Sequence, residues 1–470
     1  MRRFGWAAIW LAAMGGAQPA LAGEPESFLI ENVRILDLGG ADPVLSAGDV
    51  LVRDGMIVDA SGAVPDGVRR IDGNGRVLMA GLVDMHVHIW DRASLGAYLA
   101  AGVTTVRNAS GMPMHLDLAQ RIEAGDLLGP RLITTGPILN SPGPNAQINH
   151  QMVSSADEAR AAVQAQYGAG FRRIKVYSNL TAEAYAAIHD EAERLGMTVM
   201  GHSPEGTRRQ GMPHDVPFKI AFENLLDDGF TTFEHTETIV WHGLRDQHDV
   251  EAMRELASRI AASGIAVDPT LVAFYNLLRV AETKGGYLTR DGVETLNPLL
   301  VAQEQPNYER WTHEDVERNR AAFEFYKLAT RILAEEGVSL IAGSDAGIFT
   351  NIPGVSLIDE LALLEEAGLT RHAVLRAATI NPAEVLGEAG EVGAVAAGQR
   401  ADLLLLDGDP TEDLSVLRSP AAVVAGGHYL DRVELARLLA SASVHDIERT
   451  KRNVVQGLIA QDADVSALGL

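Results

Sequence analysis

The chain has 470 residues, a formal net charge of −24 at pH 7, 47% hydrophobic residues and no cysteine. That length can bury a large core and has room for more than one domain. The missing cysteines exclude a disulfide framework and a thiolate metal site, and the acidity argues against nucleic acid or anionic membrane surfaces as partners.

The opening stretch, MRRFGWAAIWLAAMGGAQPALAG, has the parts of a secretory signal: Arg2 and Arg3, an apolar run from Trp6 to Ala17, and the small-residue site Ala20-Leu21-Ala22. Residues 1–22 are therefore set apart from the fold, with cleavage expected after Ala22 and a periplasmic or secreted destination. The apolar core is too short for a comfortable span and no long uncharged apolar run follows, so membrane integration is not expected. Residues 23–80 read as short strands punctuated by Asp-Gly, Asn-Gly and Gly-Gly, the first part of a small β domain. Over 81–385 the texture changes to apolar strand-like runs separated by helical patterns. Together with DMHVHI, the runs AGVTTVRNA, PRLITTGPI, FRRIKVYS, GMTVMGHS, FTTFEHTET, GIAVDPTLV and GVSLIAGSDAG make eight, the arithmetic of a (β/α)8 TIM-like barrel. Residues 386–430 return to strands, which predicts a small β-sandwich domain built from both N- and C-terminal segments. A helical, charged tail occupies 431–470 and is assigned no chemistry. Residues 277–330 are too long for a simple connection between the last two strands and are expected to cover the mouth as a lid.

The candidate chemistry begins in GLVDMHVHIW, residues 81–90. Successive strand side chains point to opposite faces, so His86 and His88 share one face, a geometry suited to metal ligation. Ligand-type residues recur at other predicted strand ends: Lys175, His202, His235 and Asp345. The alternation places Lys175 and Tyr177 toward the barrel interior, where a lone ammonium is expensive to desolvate. A snorkelling or salt-bridged lysine is one explanation. The other is a neutral amine that adds carbon dioxide to form a carbamate able to bridge two cations. His202 and His235 taken singly read as satisfied core histidines and Asp345 as a turn residue, but together they would require a run of unrelated coincidences. His150, Arg107 and His115 lie in loops that could reach the same mouth, with an ordinary surface role as the default for each.

GLVDMHVHIW, the lysine strand, the two later histidines, AGSDAG, AATINPAEVLG and the closing GAVAAGQRADLLLLDGDP resemble the amidohydrolase superfamily, in its binuclear, carboxylated-lysine branch, from about residue 28 to 425. The resemblance implies two divalent metal ions, usually zinc. His86 and His88 with Asp345 would hold the buried one, His202 and His235 the more exposed one, and carboxylated Lys175 would bridge them. AGVTTVRNASG, GPRLITTGPI, RRIKVYS and AVDPTLVAF look most like prolidase-like and imidazolonepropionase-like members, which cleave amide bonds in dipeptides or acylated amino acids. The expected reaction is hydrolysis of a small-molecule substrate by a metal-bridging hydroxide, with Asp345 carrying the proton to the leaving nitrogen. Tyr177 would hydrogen-bond the oxyanion or a substrate carboxylate, or simply pack. A mononuclear deaminase or cyclic-amidine hydrolase, a lactonase or phosphotriesterase, and a non-catalytic homologue remain alternatives. A homo-oligomer is compatible with everything above.

Overall fold

The computed structural model describes residues 27–463 and 465, apart from 60–63, 65, 145, 148 and 208–215. The expected signal segment lies outside the described residues.

The chain opens with five strands: β1 (Phe28–Asp37), β2 (Val44–Arg53), β3 (Met56–Val58), β4 (Arg69–Asp72) and β5 (Val77–Ala80). Nine short strands follow, interleaved with helices: β6 (Leu82–Val87), β7 (Val103–Asn108), β8 (Arg131–Thr134), β9 (Ile138–Asn140), β10 (His150–Met152), β11 (Arg173–Val176), β12 (Thr198–Gly201), β13 (Phe230–Glu234) and β14 (Ala266–Asp268). The chain then returns to β15 (Leu403–Leu406), β16 (Ala422–Ala425) and β17 (His428–Asp431). These last strands join the first ones in a single eight-stranded sheet, where β15 pairs antiparallel with β5. Phe28, Ile30, Val52, Leu78, Leu403 and Leu405 form an apolar core of its own. The return of the chain to its starting sheet was legible because 28–80 alternates apolar and polar residues and the late segments are short apolar runs bounded by turn residues.

All pairings from β6 to β14 are parallel, in two sheets ordered β6-β7-β8 and β10-β9-β11-β12-β13-β14. The Gly136 N–H donates to Arg173 O at 2.8 Å, carrying the chain from β8 toward β11. Beyond β14, single parallel bridges join Val267 to Leu340 and Ala346 to Val87. The segment 340–346 therefore lies between β14, at the end of the larger sheet, and β6, at the end of the smaller one. Apolar residues on both faces of these strands reflect burial against helices. Three of those helices share one local logic. Ser155, Thr181 and Asp249 cap helices Ala156–Ala169, Ala182–Leu195 and Val250–Ser263, and Gly170, Gly196 and Gly264 end them in left-handed conformation.

The long segment between the last two strands is largely helical, in Leu271–Glu282, Pro298–Trp311 and Val316–Glu335. The tail forms helices Arg432–Ala442 and Ile447–Ile459, and it is more than a solvated appendage. Arg449 gives two N–H bonds of 2.5 Å each to the buried Asp91 carboxylate, just past β6. Asn297, the cap of Pro298–Trp311, donates from its side chain to Thr450 Oγ1 at 2.9 Å. The tail thus fastens the loop after β6 to the helix overhead.

Glu360, on helix Val355–Glu366, is fully buried; one oxygen accepts the Val272 N–H at 2.7 Å and the other has no partner among the described residues. Burial pushes its carboxyl up from 4.5 to about 8. The folded state therefore holds this proton more tightly than the unfolded chain, and stability is lost as pH rises from the unfolded value through the folded one. Glu360→Gln mimics the protonated form. Its stability, followed by melting temperature, should match that of the parent near pH 4, then exceed it increasingly up to pH 8, toward a limit on the order of 5 kcal/mol at about 1.4 kcal/mol per pKa unit. A pH-independent difference would refute this account of Glu360.

Candidate metal centre

Six ligand-type side chains converge where the parallel strands end. His86 lies within β6 and His88 just beyond it; Lys175 lies in β11; His202 follows β12, His235 follows β13, and Asp345 closes the segment after Leu340. All six line one cavity of about 460 Å³, together with Tyr177. Lys175 Nζ lies 2.9 Å from His86 Nε2, and Asp345 Oδ1 lies 3.5 Å from that nitrogen and 3.0 Å from His88 Nε2. Ring centroids are 4.9 Å apart for His86 and His235, 4.5 Å for His202 and His235, and 4.0 Å for Tyr177 and His202.

The local sequence explains how this geometry is held. In AGSDAG, a Cβ on Gly343 would meet Asp268 Oδ2 at 2.1 Å and His86 Cβ at 2.7 Å, and one on Gly347 would meet the His88 carbonyl at 2.0 Å. Only glycine allows that approach. Between them, Ser344 gives two hydrogen bonds to Asp84, 3.0 Å from its N–H and 2.5 Å from its hydroxyl. Asp84 therefore ties the strand bearing both histidines to the segment bearing Asp345. His235 and Asp345 sit at φ of +69° and +52°, as does Thr270 at +44°. Such backbone costs about 1–3 kcal/mol per residue and concentrates at functional sites.

Among the described residues, each imidazole facing the cavity is fixed from behind, except at His202. His86 donates from Nδ1 to Glu234 Oε2 at 2.7 Å, His88 Nδ1 pairs with Ser110 Oγ at 2.8 Å, and His235 Nδ1 pairs with Thr270 Oγ1. Glu234 in turn accepts from Arg107 Nη2 at 2.9 Å, while Arg107 Nε donates to Met85 O at 2.6 Å. Carboxylates behind metal-binding histidines fix their tautomer and raise their basicity. Glu234→Gln should therefore weaken metal binding about 10- to 100-fold, read by competition with a chromogenic chelator. An affinity within threefold of the parent would remove Glu234 from this role.

Burial, reinforced by the Lys175 charge, holds His86 well below the ordinary histidine range, and burial with the nearby His235 does the same for His202. Burial takes His235 down to about 4. These rings are neutral at pH 7, the form that binds a metal. Burial brings Lys175 down to about 8 against the pull of Glu234 and Asp345, so roughly a tenth of it is neutral amine at pH 7. At Asp345, burial pushes the carboxyl up, but the imidazoles of His88, His86 and His235 outweigh it and leave an anion below the usual carboxylate range.

Divalent cations fit this donor set. One atom each of His86, His88 and Asp345 falls within a 4.8 Å cluster. The His202 Nδ1 atom is buried without a hydrogen-bond partner among the described residues. Neutral imidazoles and a carboxylate suit zinc and related cations.

The surface role taken as the default for His150, Arg107 and His115 is corrected, because all three are buried. His150 lines the cavity with its ring 4.5 Å from that of Tyr177. Arg107 does not reach the cavity and acts on Glu234 from behind. His115 is spent on the backbone: Nε2 bonds Ile89 O at 2.7 Å and Nδ1 accepts the Met112 N–H at 2.8 Å. Sequence reasoning missed Asp84, Glu234 and Asp268. Glu234, beside His235 in FEH, and Asp84, two residues before His86, could have been found as acidic residues inside apolar strands. Asp268 is fully buried, with neither oxygen hydrogen-bonded among the described residues and Oδ2 4.0 Å from His86 Nδ1.

Known proteins similar to this chain share its fold or its sequence over most of their length. The structure is similar to that of the bottromycin amidohydrolase AH, at 28% identity and a TM-score of 0.72 over 90% of this chain and 92% of that one. A Xaa-Pro dipeptidase solved with methionine in its active site shares the fold at 21% identity and a TM-score of 0.64, over 86% of this chain and 100% of that one. The 5'-deoxyadenosine deaminase of Methanothermobacter thermautotrophicus is 24% identical over 417 residues, covering 81% of this chain and 85% of that protein. The amidohydrolase family model matches residues 77–430. With that match spanning most of the sequence, the chain belongs to the amidohydrolase family, a family of hydrolases acting on carbon–nitrogen bonds.

Proposed function

We propose that this enzyme hydrolyses an amide bond in a small substrate such as a dipeptide or an N-acyl amino acid, using two divalent cations, zinc by preference, bridged by carboxylated Lys175. The observation that carries the reading is the placement of Lys175: buried, 2.9 Å from His86 Nε2 and inside the cavity lined by His86, His88, His202, His235 and Asp345. A mononuclear deaminase would leave that lysine without a task. In the same reading the parallel strands close, through the 340–346 segment, as a (β/α)8 barrel over about 81–385. The sheet shared by 23–80 and 386–430 folds over its own core as a β-sandwich. Residues 1–22 export the chain.

His86 and His88 with Asp345 would hold one cation, His202 and His235 the other. When bound, such a pair lowers the pKa of water enough for attack near neutral pH and polarises a carbonyl. The protein's own groups do the rest. Asp345, kept anionic, takes the proton released as water adds to the carbonyl carbon and delivers it to the nitrogen as the C–N bond breaks. Tyr177 presents its ring beside His202, and its hydroxyl, held protonated by burial, donates a hydrogen bond to the developing oxyanion. The helix Pro298–Trp311 contributes Leu300, Gln303, Glu304, Arg310 and Trp311 to the cavity and limits its access to water.

Metal stoichiometry of protein purified with bicarbonate, followed by a screen over dipeptides and N-acyl amino acids, tests this. Two metals per chain with metal-dependent amide turnover is the expected result. At most one metal, or turnover confined to amidines and aminopurines, would overturn it.

A further inference from the structure

The cavity has two unlike walls, and the strand order separates them. Loops after β14, after Asp345 and after β6 contribute Phe274, Leu277, Ile348, Phe349 and Trp90, joined by Leu300 from the overhead helix, whose Gln303, Glu304 and Arg310 also reach the cavity. Loops after β9, β11, β12 and β13 form the opposite arc and contribute Gln147, Asn149, His150, Ser178, Glu205 and Glu237. The apolar wall is firmly held. The Trp90 indole donates to Gly347 O at 3.0 Å and packs in one cluster with Leu300 and Ile348, and its carbonyl accepts from Asn453 of the tail at 3.2 Å. The Phe274 ring is set edge-on to His235 at 6.3 Å and to Tyr326 at 5.5 Å. On the other arc, the Trp241 indole donates to Glu205 at 2.9 Å.

Asp345 stands on the apolar side. Whatever nitrogen it protonates departs along that wall, while the acyl carbon faces the polar arc. We infer that the preferred substrate is an amide whose amine half carries a large apolar or aromatic group and whose acyl half is small and polar. The inference rests on the amide-hydrolysis reading and adds a direction to it. In the reaction the C–N bond breaks, the oxygen of water stays on the acyl carbon, and one of its protons reaches the departing amine through Asp345. The apolar wall then holds the amine product. Pockets of this kind gain their affinity from apolar and aromatic contact and their orientation from a few polar groups.

Isomeric dipeptides isolate the direction, because glycyl-phenylalanine and phenylalanyl-glycine have the same composition and opposite amide orientation. The metal-loaded enzyme should cleave the first with a kcat/KM at least about 30-fold higher, within the range that apolar pockets discriminate. Phe274→Ala should cut that ratio to within about threefold. A second measurement needs no turnover. Beyond residue 22 the sequence has three tryptophans, Trp90, Trp241 and Trp311, and all three line this cavity. Their fluorescence should therefore report binding of 2-phenylethylamine at least about tenfold tighter than that of ethylamine. Equal or reversed cleavage of the two dipeptides would overturn the inference and leave amide hydrolysis standing. Tighter phenylethylamine binding with no amide cleaved would overturn the hydrolysis reading and keep the apolar amine site. Neither cleavage nor selective amine binding would remove both.

Discussion

Asp345→Asn should give a folded protein that retains most of its metal and loses about 10³-fold in kcat, or some 4 kcal/mol of transition-state stabilisation. The substitution is nearly isosteric, and asparagine tolerates the left-handed backbone at this position as well as aspartate does. The Asp345 N–H to His86 O bond of 2.8 Å and the Asn351 bond to the Asp345 carbonyl at 3.1 Å involve only backbone atoms of residue 345 and survive. What is lost is the ability to accept a proton. With His88 and His86 3.0 and 3.5 Å from its Oδ1, the carboxylate stays ionised through the working pH range and is ready as a base. The measurement is kcat at saturating substrate alongside metal content by atomic emission. A variant within tenfold of the parent, metal retained, would mean that the proton leaves by another route and that Asp345 is only a ligand.

The six ligand-type residues that meet in the cavity were legible because strand periodicity forces them into view. A histidine pair at spacing two must share a face, and chemistry-bearing residues at the ends of parallel strands must meet. The same logic found Tyr177 from Lys175. It could not find the residues behind the ligands. Glu234 and Arg107 stand 127 positions apart in sequence and meet across the strand ends. Nothing at position 107 distinguishes a buried arginine holding a carboxylate from a loop arginine at the surface, and the periodicity is silent on partners. The length of 277–330 suggested a cover over the mouth, and Leu300, Gln303, Glu304, Arg310 and Trp311 from that segment line the cavity. Which of its residues enter the cavity depends on how helix Pro298–Trp311 is rotated. That rotation is set by contacts such as Asn297 with Thr450, from a tail to which the sequence assigned no role.

Lys175→Ala should lose metal and activity together, with turnover falling by about 10³-fold or more. Adding a short-chain carboxylic acid should restore part of both. The outcome depends on which species fills the space beside His86. A carbamate brings two oxygens to the centre, and its removal leaves the cations to repel each other across neutral ligands. The space vacated by the butyl chain then admits formate, acetate or propionate, and rescue should depend on chain length because the replacement carboxylate must reach the same point. An ordinary ammonium behaves oppositely. It is a buried charge among neutral imidazoles, expensive to desolvate and repulsive toward any cation, so truncating it should strengthen metal binding and raise the melting temperature of the metal-free protein. Measuring metal content and the melting temperature of that metal-free form in one variant separates the two cases. Metal lost, then regained with added acid, supports the bridging carboxylate; metal retained with a more stable apoprotein would make Lys175 a passenger and leave one cation, held by His86, His88 and Asp345, as the centre to explain.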